Sequence, residues 1–119
     1  MCFILSHSIV IASPIFFGSI SAQTKMMIDR FQCAWICKNV YGKDIFKKKK
    51  NGAFISVEAS DKKDFFKNAK SITKNFFAVI NAKYIDELLC TDVEDKGDIL
   101  KREDCLEKAF NLGKHIVSE

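Results

Sequence analysis

The chain is 119 residues long, 48% hydrophobic and 29% charged, with a formal net charge of +4. Such a length suits one domain, residues 1–119, able to bury roughly two-thirds of its unfolded surface without disulfide or metal staples. One proline and five glycines exclude a disordered or collagen-like chain, the mild charge calls for no nucleic acid, and no apolar run is long enough for a membrane-spanning helix.

The first 24 residues contain no Lys or Arg. A secretory leader needs a basic start, and Pro14 and Gly18 interrupt the apolar run; a processed form beginning at Gln23 is the weaker alternative. Cys2, Cys33, Cys37, Cys90 and Cys105 form an odd, scattered set. They fit free thiols in a reducing, cytoplasmic compartment.

In chain order, Ile9, Val10, Ile11 and Ala12 make an apolar run that predicts a buried strand over 8–12, ended by Ser13-Pro14. A helix is expected over about 21–38, with Ser21 as N-cap. Met27, Ile28, Phe31, Ala34 and Trp35 would share its inner side. A loop carrying Gly42 and Lys47–Lys50 comes next, and the lysine run reads as a solvated segment ahead of a strand. The second strand is predicted over 52–57, with Glu58, Ala59, Ser60 and Asp61 as the polar loop at its end. A helix over about 63–81 would face the core with Phe65, Ala69, Ile72, Phe76 and Ile80. A third strand is expected over 84–89, then a turn around Gly97. The last helix, about 102–116, would turn Leu106, Ala109, Phe110 and Ile116 inward. Strands alternating with helices predict a parallel sheet joined by right-handed crossovers.

Residues 13–18, Ser13-Pro14-Ile15-Phe16-Phe17-Gly18, sit where the first strand gives way to the first helix. In open α/β sheets ligands lie in the loops at the carboxyl ends of strands. Two aromatics beside a proline and a glycine suit a flat ligand that stacks and takes main-chain hydrogen bonds. The competing reading is a strand-to-helix turn whose phenylalanines enter the core.

With Ala22, Lys25, Asp29 and Arg30 in register downstream, this stretch resembles the flavin-ring loop of the NAD(P)H-dependent FMN reductase and iron-sulfur flavoprotein group. The resemblance implies a flavodoxin-like three-layer α/β/α sandwich with a parallel sheet, represented by its C-terminal three βα units. It implies FMN as cofactor, NAD(P)H as reductant, and cofactor contacts from Ser13, Pro14, Ile15, Phe16, Phe17 and Gly18. A second flavin-facing loop would be Glu58, Ala59 and Ser60, where this chain departs from the Gly-rich version. The family usually has Tyr at the position of Phe16, so stacking is kept here and a hydroxyl is lost. Dimers with flavin near the interface are a further implication, and Arg30 is a candidate for pairing with a partner chain.

No acid/base pair or nucleophile arrangement stands out, so no catalytic side chain is assigned. Lys25 and Asp29 have the i,i+4 spacing of an ion pair. Cys33 and Cys37 share that spacing, but two thiolates are too few for a structural metal site. Iron-sulfur relatives carry a cysteine cluster upstream of the ring loop, where this chain has only Cys2; no cluster and no metal are expected.

Complete members of the group begin with a strand and a G-S-x-R phosphate loop, and nothing in residues 1–8 resembles it. If that anchor gives three charge-assisted hydrogen bonds at ~1.5–3 kcal/mol each, its absence weakens FMN binding by about three to six orders of magnitude. The function expected from sequence is therefore an FMN-binding NAD(P)H-dependent oxidoreductase, possessing the ring-binding part of its site. The alternative is a non-enzymatic interaction module that pairs through an open sheet edge and binds no flavin.

Overall fold

A computed structural model describes residues 5–118, so Cys2 lies outside the described residues. Three strands, β1 (Ser8–Ala12), β2 (Lys50–Val57) and β3 (Ala82–Cys90), form one sheet in the order β1-β2-β3. Both pairings are parallel, with Val10 opposite Ala53 and Ile55 opposite Leu88. The helices are α1 (Ala22–Asp29), α2 (Gln32–Asn39), α3 (Phe66–Val79) and α4 (Glu103–Ser118).

β2 is central and apolar throughout its middle, as a strand covered on both faces must be. Alternate residues serve different layers. Phe54 joins Ile9, Ile11, Ala34, Phe76, Phe77 and Ile80 in one core, beneath α2 and α3. Ala53 joins Leu88, Cys90, Cys105, Leu112 and Ile116 in a second core, beneath α4. The result is the three-layer sandwich that strand–helix alternation predicts.

Gly52 is required by this packing. A Cβ there would lie 2.5 Å from the Phe77 ring, and the β2–β3 register shifts between Gly52 and Ala53. The chain gives up a side chain so that the ring can rest on the strand.

Each helix departs from its predicted form for a local reason. The first is two helices. The N–H groups of Arg30 and Phe31 donate three residues back, to Met27 and Ile28, and this tighter turn swings Phe31 onto Phe76, 4.9 Å between ring centroids. The helical phase beyond Phe31 is reset, so Ala34 is buried while Trp35 is 43% exposed. A 3-10 turn, Lys63–Phe65, likewise precedes α3; Phe66 takes the core position expected of Phe65, which is left exposed. On α4 the inner stripe is Cys105, Ala109, Leu112 and Ile116. Leu106 and Phe110 lie one residue out of phase with it and are exposed rather than inward.

Two polar features complete the layers. Lys47, Lys48 and Lys49 are exposed, but Lys50 begins β2 and is buried. Its ammonium donates to the carbonyls of Lys48 and Ile80 at 3.1 and 3.2 Å. In the second core, burial and then a hydrogen bond with Cys105 push the Cys90 thiol up to about 12.

Candidate functional site: the loops at the carboxyl edge of the sheet

All three strands run the same way, so the loops after β1, β2 and β3 gather at one edge. The loop after β1 is clamped to β2. The N–H groups of Ser13 and Ile15 donate to the carbonyls of Ile55 and Val57, continuing the ladder past the end of the strand. Ser56 Oγ donates to the Ser13 carbonyl at 2.7 Å, and the Ser21 N–H donates to Ser13 Oγ at 2.9 Å. Ser13 is buried and its hydroxyl is engaged on both sides, so it fixes the loop. Ser21 then caps α1, its Oγ accepting from the Thr24 N–H at 3.3 Å.

Between these anchors the chain makes a tight turn. Phe16 and Ser19 exchange N–H···O bonds of 2.9 and 3.2 Å. Phe17 and Gly18 both have positive φ, +51° and +73°, the arrangement of a type I′ turn. Gly adopts such a backbone freely; Phe rarely does. Phe16 is 59% exposed and Phe17 fully so. The alternative in which these phenylalanines enter the core is excluded. Two aromatic faces are held out to solvent by a clamped, strained turn. The N–H groups of Ile15 and Phe16 are engaged within the chain, which leaves those of Phe17 and Gly18 as donors to anything resting against the rings.

The loop after β2 is tied to the loop after β3. The Glu58 N–H donates to the Cys90 carbonyl, Val93 N–H to Glu58, and Asp92 N–H to Ser60. Ala59 is exposed and Ser60 half-buried, and Ser60 Oγ accepts from the Lys62 N–H at 3.1 Å. Glu58 is different. Its side chain is only 4% exposed, and neither carboxylate oxygen has a hydrogen-bond partner. Burial first, then the neighbouring Asp61 and Asp92, hold its carboxyl above the usual range. An acid so placed keeps its proton more readily than one in water. Sequence reasoning passed over the Asp92 turn; its φ of +58° is tolerated by Asp, which is the signal that was there to be read.

Other candidates fall outside this edge. Lys25 and Asp29 form an exposed ion pair of 2.7 Å on α1. With Phe31, Trp35 and Phe76 they line a cleft of about 660 Å³ between α1, α2 and α3, which does not reach residues 13–18 or 58–60. Cys33 is exposed on α2 and Cys37 half-buried. Among the described residues no group of three His, Cys, Asp or Glu side chains is arranged to hold a metal ion. No helix among them is long and apolar enough to cross a membrane.

Residues 5–91 match the family model described as NADPH-dependent FMN reductase. The chain belongs to that family. No curated protein matches it. Among solved structures it is similar to a flavone reductase, with a TM-score of 0.72 and 20% identity over 97% of this chain. That likeness establishes the flavodoxin-like fold. The chain spans 42% of the length of the flavone reductase, so it corresponds to part of such a domain.

For a member of the FMN reductase family, the clamped turn fits an isoalloxazine in two respects. It offers apolar ring faces and, beside them, the main-chain N–H groups of Phe17 and Gly18.

Proposed function

We propose that this chain supplies the ring-binding part of an FMN site in an NAD(P)H-dependent flavin oxidoreductase. One observation carries the reading: Phe16 and Phe17 stand in solvent on a turn that two β-ladder bonds and Ser13 hold in place. An exposed aromatic pair on a strained backbone is costly without a ligand.

On this reading the phenylalanines stack on the flavin and shield one face from water. The N–H groups of Phe17 and Gly18 meet its polar edge. Pro14 and Ile15 set the approach of the turn, while Ala59 and the Ser60 hydroxyl border the ring from the β2 side. Glu58 ties that second loop to the one after β3 through its main chain. When bound, FMN supplies the redox chemistry, taking hydride from the nicotinamide nucleotide and passing electrons to an acceptor. The protein's part is position and exclusion of water, in a reducing cytoplasm that suits its thiols.

The test is a titration of the purified chain with FMN and with lumiflavin, which is the ring without ribityl phosphate. A shifted visible spectrum and quenched flavin fluorescence are expected with both ligands, in the high-micromolar range. Phe17→Ala should weaken both equally. Absence of any shift or quenching at those concentrations overturns the assignment.

A further inference from the structure

α3 carries lysines and no acids. From Phe66 to Val79 it includes Lys67, Lys70 and Lys74 but neither Asp nor Glu, and Lys63 in the 3-10 turn before it continues the row. A spacing of four, three and four residues keeps such a row on one side of a helix. All four lysines line one groove of about 810 Å³ between α3 and β3, and the row runs ~16 Å along the helix.

Like charges at this spacing destabilise a helix. α1 shows the usual remedy, with Lys25 facing Asp29 one turn on. On α3 that remedy comes once, from Glu87 of β3, whose carboxylate accepts from Lys70 Nζ at 3.0 Å. Lys63, Lys67 and Lys74 are exposed, and none has an ion-pair partner among the described residues. Two of the four ammonium groups are nevertheless held in position. Glu87 holds Lys70, and its other oxygen accepts from the Tyr84 hydroxyl at 2.6 Å. Lys74 Nζ rests 5.1 Å from the centre of the Tyr84 ring. Side chains ordered before a ligand arrives lose less freedom on binding.

The groove suits an acidic protein segment better than a nucleic acid. Phosphates are matched best by the forked guanidinium of Arg, and no Arg lines the groove. Single strands stack on exposed aromatic faces, whereas the Phe66 ring is buried and Lys74 lies over that of Tyr84. Asp64 and Glu87 sit among the lysines. A protein can match that mixed pattern residue by residue, and a chain of phosphates cannot. A helix with Asp or Glu at the same four-three-four spacing presents its carboxylates along the same ~16 Å.

We propose that the lysine face of α3 docks an acidic helix of a partner protein in the groove between α3 and β3. β2 separates this face from β1, and the groove includes none of residues 13–18 or 58–60. The surface therefore stands whether or not flavin binds.

The probe is a fluorescein-labelled, alanine-based helical peptide with Glu at the four-three-four spacing, beside a counterpart with Gln at those places. Fluorescence anisotropy should show the wild-type chain binding the Glu peptide, more weakly as salt rises, and leaving the Gln peptide free. Lys67→Glu combined with Lys74→Glu should weaken binding by about tenfold or more. The same variant should instead take up a peptide with Lys at those places, a reversal that a misfolded chain would not give. Lys47→Glu combined with Lys49→Glu changes the net charge equally on another exposed segment and should leave binding as it was. Amide NMR shifts in the wild type should concentrate on α3 and β3 when the Glu peptide is added. A wild-type chain that ignores the Glu peptide, an equal loss from the Lys47 and Lys49 changes, or tighter binding of a single-stranded oligothymidylate to the same face would each overturn the proposal.

Discussion

Phe17 combines two unfavourable properties, a left-handed backbone at φ +51° and a fully exposed ring. Removing the ring should therefore help the fold and harm the site. Phe17→Gly is expected to raise the unfolding free energy by about 1 kcal/mol while lowering flavin quenching. A loss of stability would mean that the ring packs within the chain. Glu58 makes a second test at this scale. Its carboxyl is held above the ordinary value of 4.5, so the folded state binds the proton more tightly than the unfolded state. The resulting stability is fully present below 4.5 and is lost as pH rises through the higher folded value. Glu58→Gln lacks this dependence. Urea unfolding across that range should show the Gln variant gaining on wild type as pH rises. Parallel curves would mean that the carboxylate costs no more in the fold than in the unfolded chain.

Elements were legible in the sequence wherever one apolar period ran unbroken. β1 matches its expected span, and Ser21 caps α1 as its position before the first turn predicts. Ser21→Ala should cost about 0.5–2 kcal/mol, read as a lower urea midpoint; its N–H bond to Ser13 is a main-chain one and survives the change. Changes of phase were hidden. The i−3 bonds at Arg30 and Phe31, and the 3-10 turn before Phe66, each rotate the residues after them. No residue type at those places announces it: neither Gly nor Pro is present, and the cause is the fit of Phe31 against Phe76. Gly52 is a similar case. It reads as a weak strand residue, yet it is there for the Phe77 ring, and Gly52→Ala should cost about 1–3 kcal/mol by overpacking.

For the whole molecule, strand–helix alternation is enough to predict the parallel sheet and its layers, because crossover connections admit few alternatives. The site was legible only as a place. Pro14, the phenylalanines and Gly18 mark the loop, but their exposure depends on bonds from Ser13 and Ser56 that no local pattern encodes. The layered arrangement also sorts the thiols. Cys33 is exposed on α2, whereas Cys90 and Cys105 are sealed between β3 and α4. Cys90 is doubly inert, since a thiol pushed up to about 12 holds almost no thiolate at neutral pH. Native chain treated with iodoacetamide should take label at Cys33 in an early phase and at Cys105 only when α4 lifts from the sheet. The pace of that late phase would then clock how often one wall of the sandwich opens while the other stays shut.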